Sequence, residues 1–364
     1  MKVIISGGGT GGHIFPAISI ANALKESVSD IEILFVGAEG RMEMEKVPAA
    51  GYDILGLPVA GLQRRLTFKN FSFPLKLIKS MNRAAKIIKD FRPDAVVGVG
   101  GYASAPALWQ AQRMGIPTLI QEQNSYAGLA NKFLSKKARA VCVAYQGMER
   151  FFPEEKIFYT GNPVRQDLFD LDSIRDEALR FFDIDSGRPV VLALGGSLGA
   201  RTINESIAGS LHEFEKNTIR LIWQTGKHYF ETATKLAEGK PFVRVFDFIY
   251  KMNYAFSAAD IIISRAGAGT ISELCIVGKP AALVPSPNVA EDHQTKNAAS
   301  LVNKNAAIAV KDEDARNRLV ATVIDLLNNK PLAGELKSNI SKLAMPDAAK
   351  EIANRILMIV KQYK

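Results

Sequence analysis

Cysteine is nearly absent from the 364 residues: Cys142 and Cys275 are the whole complement. Both lie in apolar runs, so buried free thiols in a reducing compartment are expected rather than a disulfide framework. No apolar run approaches the ~20 residues that a membrane-spanning helix needs. No charged leader precedes the first strand-like run, so a signal peptide is not expected either. Low-complexity tracts and long linkers are also missing. Acidic side chains are scarce in one place: residues 60–92 carry nine Lys and Arg against a single acid, Asp90. That stretch dominates the charge balance. Residues 1–164 are net +7 and residues 165–364 net +2, within a total of +9. A local basic patch says more about a partner than a global isoelectric point does.

What the chain has in quantity is alternation. Apolar residues make up 47% and charged residues 23%, enough for packed cores and too ordered a mix for wholesale disorder. Short apolar runs recur at 2–6, 32–37, 52–59, 94–100, 117–121, 140–145 and 156–161. A second series follows at 189–195, 219–224, 241–248, 260–265, 280–285 and 306–310. Amphipathic stretches with i, i+3, i+4 spacing lie between them, which is the βαβ rhythm of a parallel sheet. The length suggests two domains. The pattern predicts two doubly wound α/β domains, joined near residues 161–168 and facing each other across a cleft. A final helix with Ile352, Ile356, Ile359 and Val360 on one stripe should pack back on a domain.

Glycine is concentrated where strands run into helices. GGGTGGH (7–13) reads as G-x-G-x-x-G through Gly7, Gly9 and Gly12, and GGSLGAR (195–201) has the same strand-to-helix setting. Such turns bring backbone N–H groups to an anion, and the helix N-terminus adds about half a positive charge. A plain close crossing of strand and helix explains either loop too. A nicotinamide site would further need an acid at the end of the second strand, about 20 residues on. Glu32 starts its strand and Glu39 comes late, and His13 has no role in that fingerprint. Other strand ends open into GVGGYASAP (98–106), QEQNSYAG (121–128), GNPVR (161–165), SRAGAGTISE (264–273) and EDHQTKNA (291–298). So many polar loops suggest a large hydrogen-bonding ligand such as a sugar nucleotide.

In this order, GGTGGH, GGYAS, QEQN, GNPVR, GGSLGAR, SRAGAGTISE and HQTKNA resemble the MurG family over nearly the whole chain. These are N-acetylglucosaminyltransferases that convert lipid I to lipid II in peptidoglycan synthesis. The resemblance implies the GT-B fold: two Rossmann-like parallel-sheet domains facing across a cleft. It implies an acceptor and membrane domain at 1–163, with the helix at 346–364 packing back on it, and a UDP-GlcNAc domain at 164–345. It also implies inversion, with no cofactor and no required metal.

Residue by residue, the resemblance places Thr10, Gly11 and Gly12 near GlcNAc and Asn124 on the sugar. It places Arg165 and Ser197 on the diphosphate and the backbone of Ile249 at uracil. Ala268, Gly269, Thr270, Ile271, Ser272 and Glu273 match the ribose segment, with Glu273 accepting from the hydroxyls. Gln294 reaches the sugar. Two departures stand out. RAGAGT puts Ala266 and Gly269 where the family commonly has SGALT, and Gln121 stands where many members have His.

His13 is the candidate general base, because imidazole titrates near neutrality and a helix N-terminus favours its neutral form. The alternative is that it only hydrogen-bonds the loop or the acceptor phosphate. Glu122 is the alternative base or a support for its loop. Tyr102 either touches the acceptor or covers a helix end. The acceptor is a lipid, and the basic–apolar stretch at 64–89 is expected to meet an anionic membrane surface. There Phe68, Phe71, Phe73, Leu75 and Ile78 stand among Lys69, Lys76, Lys79 and Arg83, and Trp109 with Lys132, Lys136, Lys137 and Arg139 could extend the patch. The other reading is an outer helix whose apolar stripe is core. The expected location is peripheral, at the cytoplasmic face of the cell membrane. Nucleic acid is a poorer partner, since no aromatic stacking platform interleaves the charges. The competing functions are a UDP-GlcNAc 2-epimerase on the same fold, a nicotinamide oxidoreductase and a non-catalytic binding protein.

Overall fold

The structure, a computed structural model, describes residues 1–59, 73–196, 199–289 and 292–363. Each of the thirteen apolar runs contributes a strand. The first seven are β1 (Lys2–Ser6), β2 (Glu32–Ala38), β3 (Asp53–Leu57), β4 (Ala95–Gly98), β5 (Thr118–Glu122), β6 (Ala140–Val143) and β7 (Ile157–Tyr159). They form one parallel sheet in the order β3-β2-β1-β4-β5-β6-β7. The next six are β8 (Val190–Leu194), β9 (Arg220–Gln224), β10 (Val243–Phe246), β11 (Ile261–Ser264), β12 (Ala281–Leu283) and β13 (Ile308–Ala309). They form a second parallel sheet, ordered β10-β9-β8-β11-β12-β13. The order reverses between β1 and β4 in one sheet and between β8 and β11 in the other. Crevices outside the carboxyl ends of strands at such reversals are where open α/β sheets bind ligands.

Both faces of each sheet are covered, which is why the strands are apolar without alternation. Val3 and Ile5 of β1 face one layer, packed with helix Gly11–Ser27, and Ile4 faces the other, with helix Ser104–Arg113. In β8, Val190, Leu192 and Leu194 face one layer while Val191 and Ala193 face its opposite. The strands stop short of their apolar runs where glycine turns the chain away: β4 ends at Gly98, and Gly100 and Gly101 take φ of +91° and +87°.

The chain divides into two compact units, Met1–Arg165 with Met345–Lys364, and Gln166–Ala344. The last helix, Ala348–Tyr363, lays Ile352, Ile356, Ile359 and Val360 into the core of the first unit beside helix Gly11–Ser27. Their i, i+4, i+7, i+8 spacing makes the single stripe such packing needs. Arg355 sits over the Phe158 ring at 3.5 Å and Arg139 over Tyr363 at 4.5 Å, which fastens the helix at its middle and at its C-terminal end. The division after Arg165 falls two residues later than 163. Val164 and Arg165 stay with the first unit because Ser19 Oγ donates to the Val164 carbonyl at 3.3 Å and the Arg165 guanidinium lies 5.2 Å from the Phe15 ring centre.

Cys142 and Cys275 are free and buried, and burial pushes each thiol up to about 12. The thiolate is the reactive form. At pH 8 the native protein is therefore expected to resist iodoacetamide at both positions and to take two labels only after denaturation, as read by intact mass. Prompt labelling of the native chain would contradict this packing.

Candidate functional site

In the first unit, the glycine loop after β1 feeds helix Gly11–Ser27. Thr10 is extended at φ −146° and ψ 158°, and its carbonyl accepts from the N–H groups of His13 (3.1 Å) and Ile14 (3.2 Å). Its hydroxyl does not cap the helix. It lies 3.1 Å from His13 Nδ1 instead, so the ring is oriented by a neighbour one turn back. Thr10 and Gly12 are exposed, while Gly11 and His13 are half-buried. The imidazole lies against Gly100 of the β4 loop: a Cβ there would stand 2.5 Å from His13 Cδ2 and 2.8 Å from Nε2. A Cβ on Gly101 would stand 2.3 Å from the Gly8 carbonyl oxygen. The loops after β1 and β4 thus touch backbone to backbone at the strand reversal, and Tyr102, 53% exposed, follows directly.

β5 delivers Glu122 and Asn124. Glu122 is only 4% exposed, and its carboxylate accepts four hydrogen bonds. Oε1 takes the backbone N–H (3.1 Å) and side-chain amide (3.4 Å) of Asn124. Oε2 takes Gly128 N–H (3.1 Å) and the Asn131 amide (2.8 Å). Beside it runs a buried amide chain. Gln123 donates to the Val99 carbonyl at 2.7 Å and to Gln121 Oε1 at 2.6 Å, Gln121 donates to Asn162 at 2.8 Å, and Asn162 donates to the Gln123 carbonyl at 3.0 Å. The chain ties the ends of β4 and β5 to the GNPVR turn. Thr10, Gly11, Gly12, His13, Tyr102, Glu122, Asn124 and Arg165 therefore gather along the carboxyl edge of one sheet.

In the second unit, the loop at 195–200 follows β8, and Ser197 lies outside the described residues. Gly199 has φ +83°, and a Cβ there would meet the Thr225 carbonyl at 2.5 Å. Gln224, at the end of β9, donates to the carbonyls of Gly196 and Asp247, each at 3.0 Å, and so joins this loop to the one carrying Ile249. Ile249 is 4% exposed and its side chain belongs to the core, so its backbone is what it can offer a ligand. Helix Ala268–Val277 opens directly after β11 and its loop. Thr270, Ser272 and Glu273 are half-buried on it, and the Ser272 hydroxyl donates to the Ala268 carbonyl at 3.2 Å. Ile271 turns into the core. Open space surrounds the position a Cβ on Gly269 would take. Gln294 accepts from Ser286 N–H at 2.8 Å, which anchors its carbonyl end.

Several supports were not legible as such in the sequence. Asn297 is buried and donates to the Ala266 carbonyl at 3.2 Å. Arg265 pairs with Asp312 and donates to the Val284 carbonyl at 3.0 Å, and Asp312 accepts from Thr202 at 2.9 Å. Glu43 holds the first glycine loop from beneath. Polar residues several elements away in sequence carry no periodic signal that marks them as partners.

Residues 3–143 match the glycosyltransferase family 28 N-terminal domain and residues 190–352 its C-terminal domain. A relative from Parabacteroides distasonis, a UDP-N-acetylglucosamine–N-acetylmuramyl-(pentapeptide) pyrophosphoryl-undecaprenol N-acetylglucosamine transferase, is 56% identical over 362 residues, covering 99% of this chain and 98% of its own. The chain belongs to the MurG family. The crystal structure of Acinetobacter baumannii MurG superimposes with a TM-score of 0.76 at 29% identity, over 98% of this chain and 99% of that one. A UDP-GlcNAc 2-epimerase from Neisseria meningitidis, solved bound to UDP-GlcNAc, reaches 0.70 at 15% identity over 98% and 100% of the two chains, a likeness of fold alone. The two parallel-sheet units are those of the GT-B fold that MurG proteins share.

The contact between the first glycine loop and the β4 loop makes a direct prediction. Gly101→Ala adds a methyl 2.3 Å from a backbone oxygen at a positive φ. It is expected to cost more than ~1 kcal/mol, read as a lower midpoint in urea. An unchanged midpoint would show that the loops can part freely.

Proposed function

We propose that this chain transfers GlcNAc from UDP-GlcNAc to the 4-hydroxyl of MurNAc in undecaprenyl-pyrophosphoryl-MurNAc-pentapeptide, with inversion. This is the lipid I to lipid II step of peptidoglycan synthesis. The observation that carries the reading is full-length kinship with a transferase of that description. The 2-epimerase alternative draws on likeness of fold only.

The donor belongs to the second unit. There Ile249 offers backbone to uracil, and Ala268–Glu273 flank the ribose with Glu273 accepting its hydroxyls. The N–H groups of 195–200 and Ser197 meet the diphosphate. Gln294, anchored through its carbonyl, turns its amide N–H to the sugar. The sugar-side and acceptor groups Thr10, Gly11, Gly12, Asn124 and Tyr102 belong to the first unit, with Arg165 as a permanently charged fork for diphosphate.

The acceptor hydroxyl attacks the anomeric carbon from the face opposite UDP, so one displacement inverts the centre. Positive charge develops on the ring and negative charge on the departing diphosphate. Oriented donors answer the negative charge, each worth about 2.7–4 kcal/mol of barrier. His13 takes the hydroxyl proton, a contribution of about 10²–10⁴-fold, with Thr10 holding its Nδ1 side. Glu122 supports the Asn124 loop: both of its oxygens are already engaged by donors.

The lipid acceptor calls for a peripheral seat on the cytoplasmic face of the membrane. Among the described residues no helix is long and apolar enough to cross one. Helix Phe73–Phe91 buries Ala84, Ile87 and Ile88 and exposes Lys76, Leu77, Ile78, Lys79 and Arg83, so core stripe and basic–apolar face coexist on it. Of the stretch 64–89, residues 64–72, with Phe68, Lys69 and Phe71, lie outside the described residues. Helix Ser104–Arg113 packs beside it, with Gln110 donating to the Met81 carbonyl at 3.0 Å. Trp109 of that helix stacks on Phe133, which is 57% exposed next to Lys132, Lys136 and Lys137, and Leu129 is 80% exposed. Apolar tips ringed by lysine suit an anionic bilayer surface.

Labelled UDP-GlcNAc and a lipid I analogue test the reaction. A disaccharide lipid is expected, and free UDP with ManNAc would instead point to epimerisation. In the same assay His13→Ala should lower kcat by about 10²–10⁴-fold with UDP binding retained, and full turnover would remove His13 as base. Replacing Lys76, Lys79 and Arg83 by glutamine together should weaken binding to phosphatidylglycerol vesicles by up to about 100-fold, at about 1 kcal/mol per charge, and flatten its salt dependence. Unaltered sedimentation would refute the patch.

A further inference from the structure

The first glycine loop is not held by its own helix cap, since Thr10 is turned toward His13. It is held by Glu43, the first residue of helix Glu43–Ala49, whose side chain is completely buried. One carboxylate oxygen, Oε2, accepts from Gly9 N–H at 2.8 Å, and the other, Oε1, accepts from Ala38 N–H at 2.9 Å. The group thus bridges the loop after β1 to the last residue of β2. Glycines line its seat. A Cβ on Gly8 would stand 2.2 Å from the Glu43 carboxyl carbon, and one on Gly37 would stand 2.6 Å from its Cγ. One strand, β2, and the loop after its neighbour β1 both lack side chains where this carboxylate sits. Surface burial of a carboxylate is costly unless it is met by donors, and here each oxygen meets one.

We propose that Glu43 is a positioning residue for the transfer reaction. By fixing Gly9 it sets the direction in which Thr10 leaves the loop, and Thr10 in turn sets the His13 ring through the 3.1 Å contact at Nδ1. The loop backbone then stays pressed on Gly101 and the imidazole on Gly100. This assignment rests on the transferase reading above, and it adds to that reading a residue that never meets substrate.

Glu43→Gln tests it. The amide keeps the volume but offers a single acceptor oxygen and turns an NH₂ toward the second N–H. In the transferase assay kcat is expected to fall about 10- to 100-fold, the scale of a misplaced catalytic group. The KM for UDP-GlcNAc should stay within about twofold, because the donor loops belong to the other unit. Glu43→Asp, which keeps both acceptors on a shorter arm, should recover part of kcat. Amide exchange gives a readout independent of turnover: Gly9 N–H should exchange faster in Glu43→Gln than in the parent. Wild-type kcat in a folded Glu43→Gln protein, or a loss shared equally by Glu43→Asp, would overturn the assignment. A parent protein that transfers no sugar would refute the reaction itself, and the exchange rate of Gly9 would still decide whether Glu43 holds the loop.

Discussion

The close approach of backbone to backbone at the strand reversal of the first sheet is the constraint on which its site depends. Adjacent parallel strands lie about 4.8 Å apart, so the loops that leave β1 and β4 must either diverge or dispense with side chains. They dispense with them. Gly8 meets Gly101, and Gly100 meets the imidazole of His13. The glycines therefore do two things with one property. They let the loops close on each other, and they bring bare backbone to the start of a helix, where the backbone dipoles favour negative charge.

The second sheet reaches a similar result with different parts. Its loop at 195–200 is steadied by the Gln224 amide, and the loop after β11 by Asn297 and by Arg265 with its partner Asp312. Neutral amides suit this work. They donate to carbonyls without placing a net charge under the loops. The charged pair between Arg265 and Asp312 is internally balanced, so it adds stiffness with little field. In both units these loops are short and polar, while the groups that hold them are buried or half-buried and most come from other elements. Preorganisation of this kind lets oriented donors act on developing charge without reorganising at the moment of reaction.

Much of this was legible in the sequence, and the reason is periodicity. Buried parallel strands such as VVLAL are apolar throughout, and the helices between them repeat at 3.6 residues, so thirteen strands and their alternation can be read directly. The loops were legible because glycine and polar residues cluster at strand ends. What could not be read was partnership. Nothing in RMEMEK separates Glu43 from Glu45, yet one is buried under a glycine loop and the other is exposed. Ile249 and Ile271 look alike as apolar residues among polar ones, and only packing shows that both side chains belong to the core and that backbone is what they can present. The basic helix reads as two alternatives, membrane face or core stripe; one of its faces is core, and the other is exposed, basic and apolar.

Glu43 also bears on the fingerprint that the first loop so nearly matches. In a nicotinamide site, a carboxylate at the end of the second strand faces outward and holds a ribose. Here a carboxylate is again found at the end of β2, but it arrives from the following helix, points inward and is spent on Gly9 and Ala38. Fully buried beneath the loop, it is out of reach of a sugar hydroxyl. The carboxylate is thereby unavailable to a dinucleotide's adenosine ribose and serves the glycine-rich turn instead. Which way one carboxylate turns separates two chemistries that the loop sequence alone leaves open.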